Sequence, residues 1–573
     1  MAIVPPPPTA LLAAETGGWK KKWKDHLPVA LLFPSDYRIG MSNLGFQLVY
    51  AMLNEIPGVV AERVFLPPSF SSPLRSLESN RPLTDFPVLF GSFSFEADFP
   101  HFLRMLDAAG IAPLAADRAG RIEAGRPLVV AGGVATFINP EPLAPFVDLF
   151  VLGEAEPVLT ELLARIDQAV GAAGDRQELL ADLARHLPGS YVPGLYEVAY
   201  HPDGTVAGFS ALAGAPLPVR RNLVADRGIS GHSVVTTPHA EFSDLYLVEL
   251  GRGCSHGCRF CAAGFVYRPP RRWQAGAIIR ALEEKPPAIR RVGLLGMEMV
   301  EPEDLRLVAD HLLAHDCSLS FSSLRADVIT PELLAVLAAS DLKSAVIAPD
   351  GPSERLRRVI NKRISRDEVL AAAAALAATG ITSLKLYFML GLPTETEADL
   401  LEMVSLIGEV VAAAMPEVRR RKKAMEFVVS LSAFVPKAWT PFQYHPMMEQ
   451  VELNRRLGLV RKDLARMANV RLLAEKPEHA YLQAVLARGD RRLGLVLPAV
   501  AAGGNWRQAM KRAGIDPAWY ACRQRRRDEI FPWEIIDHGM AKDYLWQEYG
   551  RAIAEKPTPR CRPQSCRRCG VCG

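Results

Sequence analysis

The chain has 573 residues, of which 49% are hydrophobic and 23% are charged, and its formal net charge is +4. This is ordinary globular composition, so it excludes a disordered or fibrous chain and a surface that binds nucleic acid throughout. The N-terminus lacks the basic and apolar segments of a signal peptide, and no uncharged apolar run reaches the ~20 residues that span a bilayer. We therefore expect a cytoplasmic protein with reduced thiols and no membrane contact.

The first half of the sequence alternates short apolar strands with helical patterns. Residues 1–24, which begin MAIVPPPPTALLAAETGG, are predicted to be a disordered leader. Residues 25–190 include the strand patterns PVLFGSFSF and PLVVAGGVATF, with helices between them. This alternation predicts a Rossmann-like parallel sheet, whose ligands lie beyond the carboxyl ends of the strands. Residues 191–240 are predicted to be a strand-rich linker.

The alternation resumes from residue 241 to residue 445, beginning with LYLVEL and ending with EFVVSLSAFVP. About six β/α units in this length predict a partial (β/α)6 barrel, whose chemistry is placed on the loops that follow the strands. Residues 446–573 are predicted to form a mainly helical C-terminal region that ends in a Cys-rich tail. The expected fold class is therefore α/β.

Three cysteines, Cys254, Cys258 and Cys261, lie in the loop GRGCSHGCRFCAAGF directly after the first predicted barrel strand. A disulfide framework needs an even number of cysteines in a small secreted domain, so it is excluded here. Zinc usually takes four ligands, and His256 could supply the fourth. An iron–sulfur cluster held by three thiolates would instead leave one iron open for another ligand.

The C-x3-C-x2-C loop resembles the signature of the radical S-adenosylmethionine (radical SAM) superfamily. The resemblance implies that Cys254, Cys258 and Cys261 bind a 4Fe–4S cluster and that SAM chelates the open iron. Reductive cleavage of SAM would then give a 5′-deoxyadenosyl radical, with electrons from a partner such as flavodoxin or ferredoxin. Motifs at later strand ends are similar to those of the superfamily. The SAM-binding residues implied are Phe260, Gly296, Glu298, Ser323, Arg325, Asp350, Tyr387 and Gly391.

Two of these motifs depart from the family pattern. In LLGMEM, Met297 replaces the second glycine of a Gly-Gly-Glu motif, while Glu298 is retained to pair with the SAM ammonium group. Asp350 stands where the resemblance leads us to expect glutamate, which puts its ribose contact in doubt.

The N-terminal domain is similar to the cobalamin-binding domain that precedes many radical SAM barrels, with Gly132, Gly133, Gly153 and Glu154 at its turns. Many such domains place a histidine below cobalt, in the pattern Asp-x-His-x-x-Gly. Here the loop reads SDYRIGMSNLG, and Arg38 lies near the expected histidine. A guanidinium group stays protonated and cannot ligate cobalt. Either cobalamin binds without a protein lower ligand, or the domain has lost it and keeps its glycines for packing.

Taken whole, residues from about 25 to the end resemble an uncharacterised radical SAM family related to methylthiotransferases and cobalamin-linked enzymes. Segments such as YRIGMSNLGFQLVYAMLN and FPWEIIDHGMAKDYLWQEY carry the resemblance. The reaction expected is methyl or methylthio transfer to RNA or protein. The alternative is a non-catalytic corrinoid- or metal-sensing protein with a degenerate barrel.

The last thirteen residues contain four cysteines as C-x4-C-x2-C-x2-C, namely Cys561, Cys566, Cys569 and Cys572. They could close a zinc site or bind a second iron–sulfur cluster, and a tail of free thiols is the alternative. Basic runs at 19–24, 419–423 and 523–527 could contact RNA, although solvated helix faces are the commoner explanation. The two remaining cysteines, Cys317 and Cys522, are expected to be buried small hydrophobic residues.

Overall fold

The computed structural model describes residues 6–70, 73–296, 302–321, 323–340 and 342–572. The N-terminal sheet has the strands β1 Leu27–Phe33, β2 Val59–Phe65, β3 Val88–Ser92, β4 Leu128–Gly132, β5 Leu149–Val151 and β6 Ser190–Tyr191. Their order is β2-β1-β3-β4-β5-β6, and every pairing is parallel except that of β6 with β5. The predicted Rossmann-like sheet is confirmed, and its order places a topological switch between β1 and β3.

Helices precede and connect the strands of the N-terminal sheet. They are Pro8–Ala14, Tyr37–Gly40, Leu44–Glu55, Asp98–Ala108, Val134–Ile138, Leu159–Gly171 and Arg176–His186. The central strands are apolar along nearly their whole length and are buried on both faces, as a parallel sheet between helices requires.

The leader is ordered from residue 6, where the described residues begin. The prediction that residues 1–24 are disordered was therefore wrong for residues 6–24. Pro8–Ala14 is helical, and Leu11 is buried in the main core. The Glu15 carboxylate pairs with the Arg63 guanidinium of β2 at 2.7 Å, and both side chains are almost fully buried. A Pro/Ala-rich composition does not show that Leu11 joins the core or that the Glu15 carboxylate has a partner on a distant strand.

The linker is a hairpin followed by irregular chain. Its strands are β7 Tyr196–Tyr200 and β8 Val206–Ala211, which pair antiparallel. Further on, Val219–Arg220 pairs with Ile536–Asp537, so the linker is attached to the C-terminal region.

Seven parallel strands in the described residues form the second half of the α/β architecture. They are β9 Leu245–Glu249, β10 Arg291–Leu295, β11 Ser318–Phe321, β12 Ser344–Asp350, β13 Ser383–Leu390, β14 Glu426–Ala433 and β15 Val470–Ala474. Strands β9–β11 form one sheet and β12–β15 another, and a parallel bridge between Leu324 and Ile347 joins their edges. The strand β15 adds to the six predicted and lies in the region expected to be helical.

The helices of this half alternate with the strands. They are Ala263–Val266, Ala275–Glu283, Pro302–Ala314, Pro331–Ala339, Glu354–Val359, Arg366–Thr379, Glu397–Arg421 and Gln450–Leu464. The C-terminal region adds Pro477–Ala487, Leu497–Ala501, Trp506–Arg512, Pro517–Ala521 and Lys542–Ile553. Among the described residues, none of the helices combines the length and the apolar character that crossing a bilayer demands.

Candidate cluster and cofactor site

The cysteine loop, residues 251–262, begins at the carboxyl end of β9. Its first residues, Gly251–Arg252, pair antiparallel with Arg271–Arg272 and close the base of the loop. Gly253 has φ of +84°, and an added Cβ would lie 2.7 Å from the Tyr267 carbonyl oxygen. Only glycine fits such a position, so the glycine before the first cysteine is required by the loop itself.

The three predicted cluster ligands are brought together by this loop. The Cys261 amide donates to the Cys258 carbonyl at 3.1 Å. Burial, followed by repulsion from the Cys258 thiolate, raises the pKa of Cys261 to about 11. The Arg325 guanidinium interacts electrostatically with the thiols of both Cys258 and Cys254. All nine cysteines, which lie within the described residues, are free of disulfides.

Two cations lie beside these thiols. The Arg325 Nη1 atom is 3.8 Å from the Cys258 sulfur, and the guanidinium is held by Asp327 at 2.9 Å. Arg325 also donates to the Lys362 carbonyl at 2.7 Å. The Lys362 ammonium pairs with Asp350 at 2.6 Å and interacts with the Cys258 thiol. The site therefore offers positive charge to thiolates, as an anionic cluster and a carboxylate ligand would need.

The other predicted SAM-binding residues lie in the barrel strands or soon after them, and they differ in exposure and in their contacts. Gly296 directly follows β10 and lines a cavity described below. Ser323 is exposed, and Asp350 ends β12 with its carboxylate already paired. Tyr387 is half-buried in β13, with the Lys385 ammonium 5.0 Å from its ring centroid. Glu298 lies outside the described residues.

Gly391 and Phe260 have local packing roles. Gly391 has φ of +83°, and its amide donates to the Glu395 carboxylate at 2.9 Å. A Cβ there would lie 2.8 Å from Leu453 Cδ2, so the glycine permits a close approach. Phe260 is half-buried against the main hydrophobic core. Their proposed contacts with SAM stay predictions.

A cavity of about 480 Å³ lies between the N-terminal sheet and the barrel. This volume is within the usual range of small-molecule sites. One side is formed by the carboxyl ends of β1, β3, β4 and β5, and the other by the residues that end β9 and β10. Lining residues from the two sides include Ser92, Gly132, Gly153, Glu249, Arg252 and Gly296. The N-terminal sheet and the cysteine loop thus share one cavity.

A network of buried charges joins the two sides of this cavity. Arg252 of the cysteine loop pairs with Glu156 at 2.6 Å and with Glu249 at 2.9 Å. Arg271 pairs with Glu154 at 2.5 Å. Burial alone would raise the pKa of Glu154, but hydrogen bonds from Arg271 and the charge of Arg252 lower it. Sequence reasoning missed both arginines, although they flank the cysteines in GRGC and RPPRR.

Arg38 does not face the cavity. Its side chain is 55% exposed and pairs with Glu241. Asn43, five residues later in the same segment, lines the cavity instead, and its amide donates to Ser94 at 2.9 Å. In the described part of the chain, the lining residues include no histidine.

The tail cysteines lie against the cysteine loop, since the Cys561 amide donates to the Ser255 carbonyl at 2.8 Å. Neither set of cysteines surrounds a single-ion position. Within the described ranges, no three His, Cys, Asp or Glu side chains are grouped as ligands of one metal ion. A cluster differs from a single ion because each thiolate binds its own iron, which places the sulfurs farther apart.

Two family models match the chain. The model of "Radical SAM proteins, N-terminal" matches residues 45–193, and the model of the "Radical SAM superfamily" matches residues 248–407, which contain the cysteine loop and β10 to β13. The chain therefore contains a radical SAM domain. The radical SAM domain implies SAM and a [4Fe–4S] cluster as cofactors, and a source of electrons.

Known proteins resemble this chain along most of its length. The uncharacterised protein MJ0966 of Methanocaldococcus jannaschii is 25% identical over 475 residues, which are 82% of this chain and 90% of that protein. Among solved structures, the cobalamin-dependent radical enzyme OxsB with aqua-cobalamin and SAM covers 92% of this chain and 80% of its own, at 13% identity and a TM-score of 0.47. The methyltransferase TsrM from Kitasatospora setae covers 70% and 72%, at 13% identity and a TM-score of 0.43.

Proposed function

We propose that Cys254, Cys258 and Cys261 hold the [4Fe–4S] cluster of this enzyme and that SAM is cleaved reductively there to start a radical reaction. The observation that carries the proposal is the position of the three thiols on one loop, which begins at the carboxyl end of β9 and whose first residues line the cavity. When bound, the cluster supplies one electron to SAM. The electron comes from a small redox protein such as flavodoxin or ferredoxin.

The residues present fit such a cluster. The thiols are unbridged, and Gly253, with its positive φ, gives the loop its turn. Arg325 and Lys362 balance the charge of the thiolates, and each is fixed by its own carboxylate. These groups hold the site in one arrangement before any ligand arrives, which lowers the cost of ordering it.

The remaining SAM contacts are proposed at the ends of the barrel strands. Gly296 supports this most directly, because it lines the cavity next to the cysteine loop. Arg325 lies beside a cluster thiol, where it can meet the SAM carboxylate. For Asp350 to contact ribose, its carboxylate must accept a hydrogen bond from a ribose hydroxyl while it stays paired with Lys362. Phe260, Glu298, Ser323, Tyr387 and Gly391 complete the proposed set.

The anaerobic formation of 5′-deoxyadenosine tests the cluster proposal. Reconstituted protein with SAM and dithionite should release 5′-deoxyadenosine, measured by mass spectrometry. The variant C254A/C258A/C261A should release none, whereas Cys522→Ala, which changes a cysteine outside both cysteine groups, should match the natural protein. Equal product from the triple variant would refute the assignment. A loaded cluster that yields no product would favour the non-catalytic corrinoid- or metal-sensing alternative.

Cobalamin is proposed as the ligand on the N-terminal side of the cavity. The cavity lies over the switch between β1 and β3, where sheets of this order bind their cofactors. Leu31 of β1 and Ser92 of β3 line it there, together with Gly132 and Gly153. Because the cavity also reaches the cysteine loop, a corrin in it would adjoin the radical site. The reaction proposed is methyl or methylthio transfer to RNA or protein.

Filling the cavity tests cobalamin binding. Gly132 has no positive φ, and an added Cβ would be 3.7 Å from its nearest neighbour, so Gly132→Leu extends into the cavity without backbone strain. Gly208→Leu, on the hairpin, is the matched control because its Cβ meets nothing within 4 Å. Cobalamin affinity, followed by absorbance, should fall at least tenfold in Gly132→Leu only. If the natural protein does not bind cobalamin, the proposal is refuted.

A further inference from the structure

We propose that Cys561, Cys566, Cys569 and Cys572 bind a second [4Fe–4S] cluster, which lies against the cysteine loop. The tail that carries them is outside both family-model matches. This inference does not depend on SAM cleavage, since it concerns a separate set of thiols.

The four thiols are close to one another. The electrostatic neighbours of the Cys561 thiol include the thiols of Cys566, Cys569 and Cys572. Cys561 and Cys566 are also within hydrogen-bonding distance through their side chains. Cys561 and Cys569 are buried, with 8% and 3% of their surface exposed. A disordered tail would not bury two of its cysteines, so the arrangement argues against free thiols in solvent.

Positive charge is placed on these sulfurs. Arg568 Nε donates to the Cys566 sulfur at 3.3 Å. Arg268, which follows the cysteine loop and is 3% exposed, hydrogen-bonds the Cys569 thiol. Guanidinium donors stabilise thiolates rather than neutral thiols, and thiolates are the form that binds iron.

The tail is fixed to the loop of the first cluster. The Cys561 amide donates to the Ser255 carbonyl at 2.8 Å, next to Cys254. Asn361 accepts the Thr558 amide at 2.8 Å and donates to the Gly257 carbonyl at 3.1 Å. The tail site is thus part of the folded structure around the cysteine loop.

Spacing and geometry favour a cluster over zinc. Cys566, Cys569 and Cys572 follow the C-x2-C-x2-C run that ferredoxins use for [4Fe–4S] clusters. A zinc ion needs four sulfurs at ~2.3 Å from one centre. No such grouping around one ion occurs in the described residues. A cubane cluster does not need its four sulfurs around one centre, because each thiolate binds its own iron.

Reciprocal cysteine variants of the full-length chain test the inference. With two Cys-ligated [4Fe–4S] clusters, the reconstituted natural protein should hold about eight irons per chain. C566S/C569S should hold about four, with a Mössbauer and electron paramagnetic resonance signal that still responds to SAM. C254A/C258A/C261A should also retain about four irons, and its signal should be unchanged by SAM. Cys522→Ala should resemble the natural protein.

Other outcomes would overturn the inference. Loss of one equivalent of zinc in C566S/C569S, with iron unchanged, would show a zinc site instead. No change in either metal would show that the tail binds none. If C566S/C569S misfolds and loses all iron, the triple variant decides: no iron in it refutes the second cluster. If the iron contents are as expected but the signal of the natural protein does not respond to SAM, this would count against the proposed function and not against the tail site.

Discussion

Replacing Arg259 with methionine should release the C-terminal region from the cysteine loop. Arg259 lies between Cys258 and Cys261 in sequence, and its side chain is fully buried. Its guanidinium donates to the Val359 carbonyl at 2.9 Å and to the Lys556 carbonyl at 2.7 Å. The same group pairs with the buried Glu548 at 3.2 Å. One side chain therefore links the loop, the barrel and the segment before the tail.

The expected loss follows from the charge that is left behind. Removing one partner of a buried ion pair costs ~3–5 kcal/mol because the other charge stays buried. Glu548 keeps a hydrogen bond from the Thr558 hydroxyl at 2.7 Å and a 3.8 Å pairing with Arg551, so we expect the lower end, about 3 kcal/mol. At about 1.4 kcal/mol per factor of ten, local opening of this contact should become roughly a hundredfold more frequent.

Hydrogen exchange followed by mass spectrometry measures this opening in peptides that cover 542–572. Arg259→Met should lose protection there and keep it in the N-terminal sheet. R259M/E548Q should recover part of the protection, because the uncompensated carboxylate is gone. Protection equal to that of the natural protein in Arg259→Met, or no recovery in the double variant, would refute the charge argument.

Three further variants probe the loop, the leader and the end of the barrel region. Gly253→Ala should lose the iron of the loop cluster, about half of the reconstituted total, since a Cβ there meets a carbonyl oxygen, whereas Gly264→Ala has open space and should keep all of it; iron assays decide. Glu15→Gln should lower the free energy of unfolding by about 2 kcal/mol in thermal melts, because Arg63 loses a charged partner. Burial, followed by the charge of Arg488, lowers the pKa of His445 from 6.5 to about 4. Between these two pH values the unfolded chain binds a proton that the folded protein does not, so the free energy of unfolding should fall as the pH drops from 6.5 to about 4. His445→Gln should flatten this decline in melting temperature, and an unchanged slope would contradict it.

Local sequence patterns predicted the fold well because each depends on neighbouring residues. The alternation of apolar strands with helices is visible within short windows, and the glycines around Cys254 mark a turn that only they can make. The ordered leader was missed because the Glu15–Arg63 pair joins residues 48 positions apart. The same holds for the arginines that flank the cysteines: their sequence gives a basic loop, and only the fold shows that each is buried against a carboxylate or thiol from elsewhere.

Those arginines indicate how the site is assembled. Arg252 pairs with the N-terminal domain through Glu156, and Arg259 pairs with the C-terminal helix Lys542–Ile553 through Glu548. Arg268 contacts the tail, at the Cys569 thiol. A guanidinium cannot lose its proton in a protein, so each buried arginine needs its distant partner in place. Two parts of the chain outside the barrel therefore complete the loop that holds the cysteines, and a barrel expressed alone would leave these charges unpaired and the cluster ligands open to water.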